Sequence, residues 1–124
     1  MPHPPNRTNT VKLCRGQTKV LTIQVKTKEG KCANLTGATI YFTVRENATG
    51  PVLIGLISPA GIEITDALNG KATITVDSNL TDIAKGCYRY DIWVEYPGSP
   101  PERHCVVKFA EFIVEDAITT FVSP

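Results

Sequence analysis

The sequence predicts an all-β protein, a two-layer antiparallel sandwich of seven or eight strands, and three observations predict it. Residues 88–96 alternate between apolar and polar side chains, which is the period of a half-buried strand. Short alternating segments of this kind recur about every 8–14 residues and are separated by Gly, Pro and Asn. No segment shows a sustained helical period, which favours an all-β fold. A closed barrel is the alternative to the sandwich.

Along the chain, residues 1–9 form a Pro-rich arm, residues 10–116 the sandwich and residues 117–124 a tail. The Asn69-Gly70 pair predicts a hairpin turn because both residues tolerate positive φ. Residues 77–85 have room for one helical turn. The apolar positions of the last strand change phase partway along, which predicts a β-bulge near Ala110 and Glu111. The predicted strands cover residues 10–15, 20–25, 39–45, 52–57, 62–64, 72–76, 88–96 and 103–115.

The approach to the strand 88–96 narrows the fold class further. A turn from Leu80 through Gly86 delivers Tyr88 to the start of a long strand, which is the layout of the tyrosine corner in immunoglobulin-like sandwiches. We therefore expect this strand to be central and the Tyr88 hydroxyl to bind the backbone of residues 78–85. Two orientations stay open for Trp93: an outward interface anchor, or a packed residue with the tyrosines half exposed.

Composition excludes several classes of function. The formal net charge is +1 without a basic or acidic block, so the electrostatic footprint of a nucleic-acid or lipid-binding protein is missing. No apolar run approaches the ~18 residues of a membrane-spanning helix. Residues 1–5, MPHPP, lack the charged and apolar regions of a signal peptide. We expect a protein made in a reducing cytoplasm, without nucleic-acid or membrane partners.

The cysteines are expected to stay reduced for the same reason, because disulfides persist in oxidising compartments. Their spacings match no zinc site, and counting across the hairpin places Cys105 opposite Trp93. The four Asn-x-Thr triplets are interpreted as turn residues. The cysteines are Cys14, Cys32, Cys87 and Cys105, and the triplets begin at Asn6, Asn34, Asn47 and Asn79.

No catalytic constellation, metal site or cofactor site is visible, so the sequence predicts a protein that is not an enzyme. His104 and Cys105 are neighbours on a strand and point to opposite faces, so they cannot form a nucleophile and base. Asp77 and Asp82 flank a loop, where capping of turns is favoured over Ca²⁺ binding.

Three segments together resemble a known group of proteins. Residues 34–45 (NLTGATIYFTVR), 70–74 (GKATI) and 80–93 (LTDIAKGCYRYDIW) carry the resemblance. They resemble small immunoglobulin-like structural proteins of tailed bacteriophages, including N-terminal domains of baseplate and tail-fibre proteins, over about residues 10–116. The resemblance implies a virion protein, a decoration on the capsid or an accessory module on the tail or baseplate, made in the bacterial cytoplasm and without catalytic residues.

Two other classes of function remain as alternatives. A carbohydrate-binding or adhesion module would cluster exposed aromatics, and Tyr41, Trp93 and Tyr96 are the candidates. An enzyme, or an inhibitor presenting residues 97–102, is the third. For the virion protein we expect contacts to other virion proteins and a homo-oligomer, with a trimer as the expected state. The expected assembly contacts are Pro2, Pro4, Pro5, Trp93 and Phe121.

Overall fold

The computed structural model describes residues 10–117 and contains eight β-strands, as the alternation predicted. Among these residues the helical segment is a 3₁₀ turn, Ala67–Asn69, between the fifth and sixth strands. The strands are β1 Val11–Cys14, β2 Lys19–Gln24, β3 Thr39–Arg45, β4 Val52–Ile57, β5 Ile62–Asp66, β6 Lys71–Val76, β7 Gly86–Tyr96 and β8 Glu102–Glu115.

The strands form two separate sheets that pack face to face, so the sandwich is confirmed over the barrel. A five-stranded sheet has the order β1-β8-β7-β3-β4, and a three-stranded sheet has the order β2-β6-β5. This division of strands is that of an immunoglobulin-like sandwich, with β7 at the centre of the larger sheet as expected. The β1–β8 pairing is parallel, which departs from the all-antiparallel expectation. The departure is possible because almost the whole chain separates these two strands.

The core lies between the sheets and is built around three aromatic rings. Phe42, Tyr90 and Phe112 come from three adjacent strands, with ring centroids 5.5–6.3 Å apart in tilted or edge-to-face contact. Aromatic pairs of this geometry contribute about 0.5–1.5 kcal/mol beyond their burial. Burial also raises the pKa of Tyr90 to about 12, because ionising its phenol inside the core is unfavourable.

The predicted tyrosine corner is present. The Tyr88 hydroxyl donates a hydrogen bond to the Ala84 carbonyl, inside the expected segment 78–85. That segment contains one turn, in which the Leu80 and Thr81 amides donate to the Asp77 carbonyl at 2.9 and 3.2 Å. The fully buried Thr81 hydroxyl donates to the Gln17 carbonyl at 2.7 Å, which ties this connection to the β1–β2 turn.

Turn chemistry follows the sequence at most positions. The Asn34 and Asn47 side-chain oxygens accept hydrogen bonds from the residues two positions on, as turn residues do. At the Asn-Gly turn only Gly70 has a positive φ among the described residues of that loop, at 68°. The expected capping by Asp82 is replaced by an ion pair, since its carboxylate accepts from the Arg15 guanidinium at 2.9 Å.

Strand β8 is bulged, and the bulges correct the predicted position. Tyr90 pairs with Ala110 but Ile92 pairs with Val107, so β8 carries one extra residue there. The bulge lies just before the expected Ala110-Glu111 position, and a second extra residue, Val106, lies nearer the start of β8. Together the two bulges place Val107, Ala110 and Phe112 on the core face and leave Phe109 on the opposite face.

Candidate functional site

One face of the five-stranded sheet points away from the core, and we call it the outer face. Its side chains alternate with the buried residues of the same strands, so the register brings them together in rows. The central row runs from Ile57 through Tyr41 and Trp93 to Cys105. The outer face includes Thr39, Tyr41, Thr43, Arg45, Ile57, Arg89, Asp91, Trp93, Glu95, Arg103, Cys105, Phe109 and Glu111.

The structure decides between the two orientations left open for Trp93. Tyr88 and Tyr90 are 7% and 5% exposed, whereas Trp93 is 38% exposed. The tyrosines therefore belong to the core, and Trp93 points outward at the centre of the outer face. It shares this face with two further exposed apolar side chains, Ile57 at 53% and Phe109 at 56%.

A carboxylate held by two donors flanks the tryptophan. Glu95 accepts hydrogen bonds from the Tyr41 hydroxyl at 2.8 Å and from the Arg103 Nε at 2.7 Å. The bond from Arg103, and then the bond from Tyr41, hold the pKa of Glu95 below its ordinary value. The same contacts raise the pKa of Tyr41 and of Arg103, in each case mainly through the hydrogen bond to Glu95. The three side chains form a fixed polar border on one side of Trp93.

The β8 bulge between the partners of Tyr90 and Ile92 places the ring of Phe109 on the same face. Phe109 has φ 49°, a left-handed conformation that is uncommon for a large side chain. The Arg89 guanidinium stacks over its ring at 5.1 Å from the centroid and lies 3.7 Å from the Glu111 carboxylate. Such strained residues cost about 1–3 kcal/mol and persist where the surroundings hold them, often at functional sites.

Between these features lies a shallow groove of about 370 Å³. Trp93 and Tyr41 supply its apolar wall, and Asp91 adds a second carboxylate beside Glu95. The groove combines aromatic surface with charges of both signs, so it can bind a polar ligand or a complementary protein surface. Its other lining residues are Thr43, Arg45 and Arg103.

The structure brings together two of the three aromatic residues that the sequence predicted to cluster. Trp93 and Tyr41 are register partners on adjacent strands, but Tyr96 lies elsewhere, with its hydroxyl donating to the Asn34 carbonyl at 2.9 Å. Tyr96 therefore does not join an aromatic cluster with them. The expected contacts Pro2, Pro4, Pro5 and Phe121 lie outside the described residues 10–117, as do the Pro-rich arm and most of the tail.

Two residues of the outer face escaped the sequence argument, Ile57 and Phe109. The strand 52–57 is apolar at nearly every position, so alternation alone could not say which side chains face outward. Phe109 is in phase with Val107, which faces the core, and out of phase with the buried Phe112 and Val114. Only the location of the bulge shows that its ring is exposed.

Residues 10–117 contain no group of three or more side chains placed to ligate a metal, and no helix long and apolar enough to cross a bilayer. His104 and Cys105 point to opposite faces as predicted, because their register partners are the buried Val94 and the exposed Trp93. The four cysteines carry free thiols in the structure, and their reduced state in solution stays a prediction.

A scan against protein-family models finds no match for this chain, and a search of curated proteins finds none either.

Proposed function

We propose that this chain is a structural protein of a tailed-bacteriophage virion, an immunoglobulin-like accessory or decoration module of the capsid or of the tail or baseplate. It is made in the bacterial cytoplasm and acts by protein–protein assembly, as a homo-oligomer that contacts other virion proteins. The proposed role is not enzymatic and needs no cofactor, nucleic acid or membrane. The resemblance of residues 34–45, 70–74 and 80–93 to phage structural proteins supports the virion, and the sandwich fold agrees with it.

The observation that carries the assembly role is the exposed Trp93 at the centre of the outer face. Trp, Tyr and Arg are the residue types that most often dominate protein interfaces, and Trp93 lies beside Tyr41 and near Arg103. Apolar side chains occupy the centre of this face and ion pairs its border, which is the anatomy of a protein interface. The rigid sheet beneath holds these groups in place without a cost in backbone ordering.

A carbohydrate-binding module is the second candidate, and the groove beside Trp93 is the observation that favours it. An aromatic face next to Asp91, Glu95 and Arg103 offers both stacking surface and hydrogen-bonding groups. However, Tyr96 lies away from this groove and does not extend the aromatic surface. We therefore rank glycan binding second.

Particle association tests the proposal. Tagged protein is co-expressed during phage growth, and particles purified by density gradient are examined by mass spectrometry and quantitative blotting. We expect stoichiometric protein in the wild-type particles and an at least tenfold loss for Trp93→Arg, because a buried unpaired charge opposes association. The matched control is Leu68→Arg, since Leu68 is 71% exposed on the 3₁₀ turn, away from the outer face.

Absence of the protein from purified particles, or equal loss with both variants, would contradict the proposal. A glycan array probed with the wild-type protein and with Trp93→Arg addresses the second candidate. Binding to a defined glycan that disappears in Trp93→Arg, together with absence from particles, would favour the carbohydrate-binding role.

A further inference from the structure

We infer that the outer face is covered by the outer face of a second copy of this chain, in a two-fold dimer with the two β7 strands antiparallel. The inference deepens the proposed function, because it names the partner of the face on which that function rests. It follows from the order of charges along the central strand and across its neighbours. A two-fold dimer takes the place of the trimer expected from the sequence.

The order of charges along β7 favours an antiparallel arrangement of the two copies. The outward residues of this strand are, in order, Arg89, Asp91, Trp93 and Glu95, so the two ends of the row carry opposite charges. A two-fold axis that runs across the strands midway between Asp91 and Trp93 reverses this row in the second copy. Glu95 then faces the second copy's Arg89, and Trp93 faces its Asp91, whose carboxylate can accept a hydrogen bond from the indole N–H.

The charges on β8 are also complementary between the two copies. Arg103 pairs in register with Glu95, and Glu111 pairs in register with Arg89. The same axis therefore places Arg103 over the second copy's Glu111. Each ion pair within one copy meets an ion pair of the opposite order, so every charge of the two pairs gains a neighbour of opposite sign. Phe109 and Asp91 line one groove, and the axis brings Phe109 over the row of Cys105 in the second copy.

The alternative two-fold axis, parallel to the strands, is unfavourable. It would lay β7 on β7 with the same residues opposite each other, so that the two copies of Arg89, Asp91 and Glu95 would face themselves. Like charges placed opposite each other at an interface oppose binding strongly. The charge pattern therefore favours one of the two orientations in which these faces can stack symmetrically.

The size of the face sets the expected strength. Along residues 89–95 the face is four strands wide, because β1 pairs only with residues 112–115 of β8. Four strands about 4.8 Å apart and seven residues of about 3.3 Å give a patch of roughly 14 Å by 23 Å. This patch lies below the roughly 800 Å² per partner of a standard stable interface. We therefore expect a weak dimer, with a dissociation constant of about 10–100 μM, that is reinforced when the protein is concentrated on a particle.

Exchange of whole ion pairs tests the inference without removing them. The first double variant is Glu95→Arg with Arg103→Glu, and the second is Arg89→Glu with Glu111→Arg. Each keeps an ion pair within the copy but faces like charges across the axis, so we expect dimerisation at least tenfold weaker. The quadruple variant restores opposite charges, and we expect its affinity within about threefold of the wild type. The control exchanges Arg15 and Asp82. These residues form an ion pair with an N–O distance of 2.9 Å and do not belong to the outer face.

Sedimentation velocity over about 5–500 μM gives the dissociation constant and the stoichiometry. Trp93 is the only tryptophan of the chain, so its fluorescence gives a second readout, with a red shift on dilution of the dimer. Circular dichroism confirms that each variant is folded. A wild-type monomer at the highest concentration, a trimer, or a quadruple variant no tighter than the doubles would overturn the inference.

The result is separable from the test of the proposed function. If the double exchanges leave self-association unchanged while Trp93→Arg still abolishes association with particles, the dimer is wrong and the assembly role stands. If the exchanges behave as expected but the protein is absent from particles, the dimer stands and the virion role is wrong.

Discussion

The two faces of the five-stranded sheet come from the same strands in the same register, yet one face is buried and the other is exposed. On the inner face Phe42, Tyr90 and Phe112 pack on one another and are almost fully buried. On the outer face Trp93 and Phe109 stay exposed between ion pairs. Large aromatics therefore do not identify the core by themselves. What distinguishes the two sets is whether a second sheet covers them.

The largest expected contrast is in stability. Phe112→Ala should lower the free energy of unfolding by about 3–5 kcal/mol, because it leaves a cavity in the aromatic cluster. Trp93→Ala should lower it by less than about 1 kcal/mol, because solvent already reaches this side chain. Urea denaturation followed by circular dichroism measures both. Equal losses would show that the outer face is part of the stabilising core.

The second-largest expected contrast between the two faces is the loss of stability at alkaline pH. Burial raises the pKa of Tyr90 from 10.0 to about 12, so the folded state favours the neutral phenol. Its contribution to stability is complete below the unfolded value and is lost as the pH rises from about 10 through 12. We expect the urea midpoint to fall over this range, and to fall less in Tyr90→Phe. Tyr41→Phe gives the comparison on the outer face. The pKa of Tyr41 is also raised, mainly through its hydrogen bond to Glu95, but solvent reaches this hydroxyl, so Tyr41→Phe should reduce the fall less than Tyr90→Phe does.

The tyrosine corner gives a smaller effect. Tyr88→Phe removes the hydrogen bond to the Ala84 carbonyl and should cost about 1 kcal/mol of unfolding free energy. Tyr41→Phe removes a hydrogen bond to Glu95 at the surface and should cost less than Tyr88→Phe does, because solvent can replace the lost partner. Paired chemical denaturation of the two variants measures the difference. A larger loss for Tyr41→Phe would show that the Tyr88 hydroxyl does not contribute more to stability than the Tyr41 hydroxyl.

The smallest expected effect is a titration shift on the outer face. Hydrogen bonds from Arg103 and Tyr41 lower the pKa of Glu95, so their stabilising effect is present above the ordinary glutamate value and is lost as the pH falls through the lowered one. NMR titration of the side-chain carboxyl carbon should place the pKa of Glu95 below the ordinary glutamate value. Arg103→Gln should move the pKa of Glu95 upward, and an unchanged pKa would show that Arg103 is not its main partner.

Much of the fold could be predicted because it follows from local rules. The period of two located the strands, Gly and Asn located the turns, and the approach to Tyr88 identified the tyrosine corner. Each of these signals depends on residues a few positions apart. The parallel β1–β8 pair could not be predicted in this way, since its partners lie at opposite ends of the described chain.

The candidate site was predictable in part, and the division has a physical cause. The sequence by itself determined that Trp93 and the tyrosines of β7 occupy opposite faces, because neighbouring residues on a strand must point apart. Only the tertiary structure decided which face is covered, since that depends on where the three-stranded sheet packs. It also decided that Phe109 is exposed, because a bulge changes the phase of a strand, and that Arg103 meets Glu95, because register is set by pairing between strands.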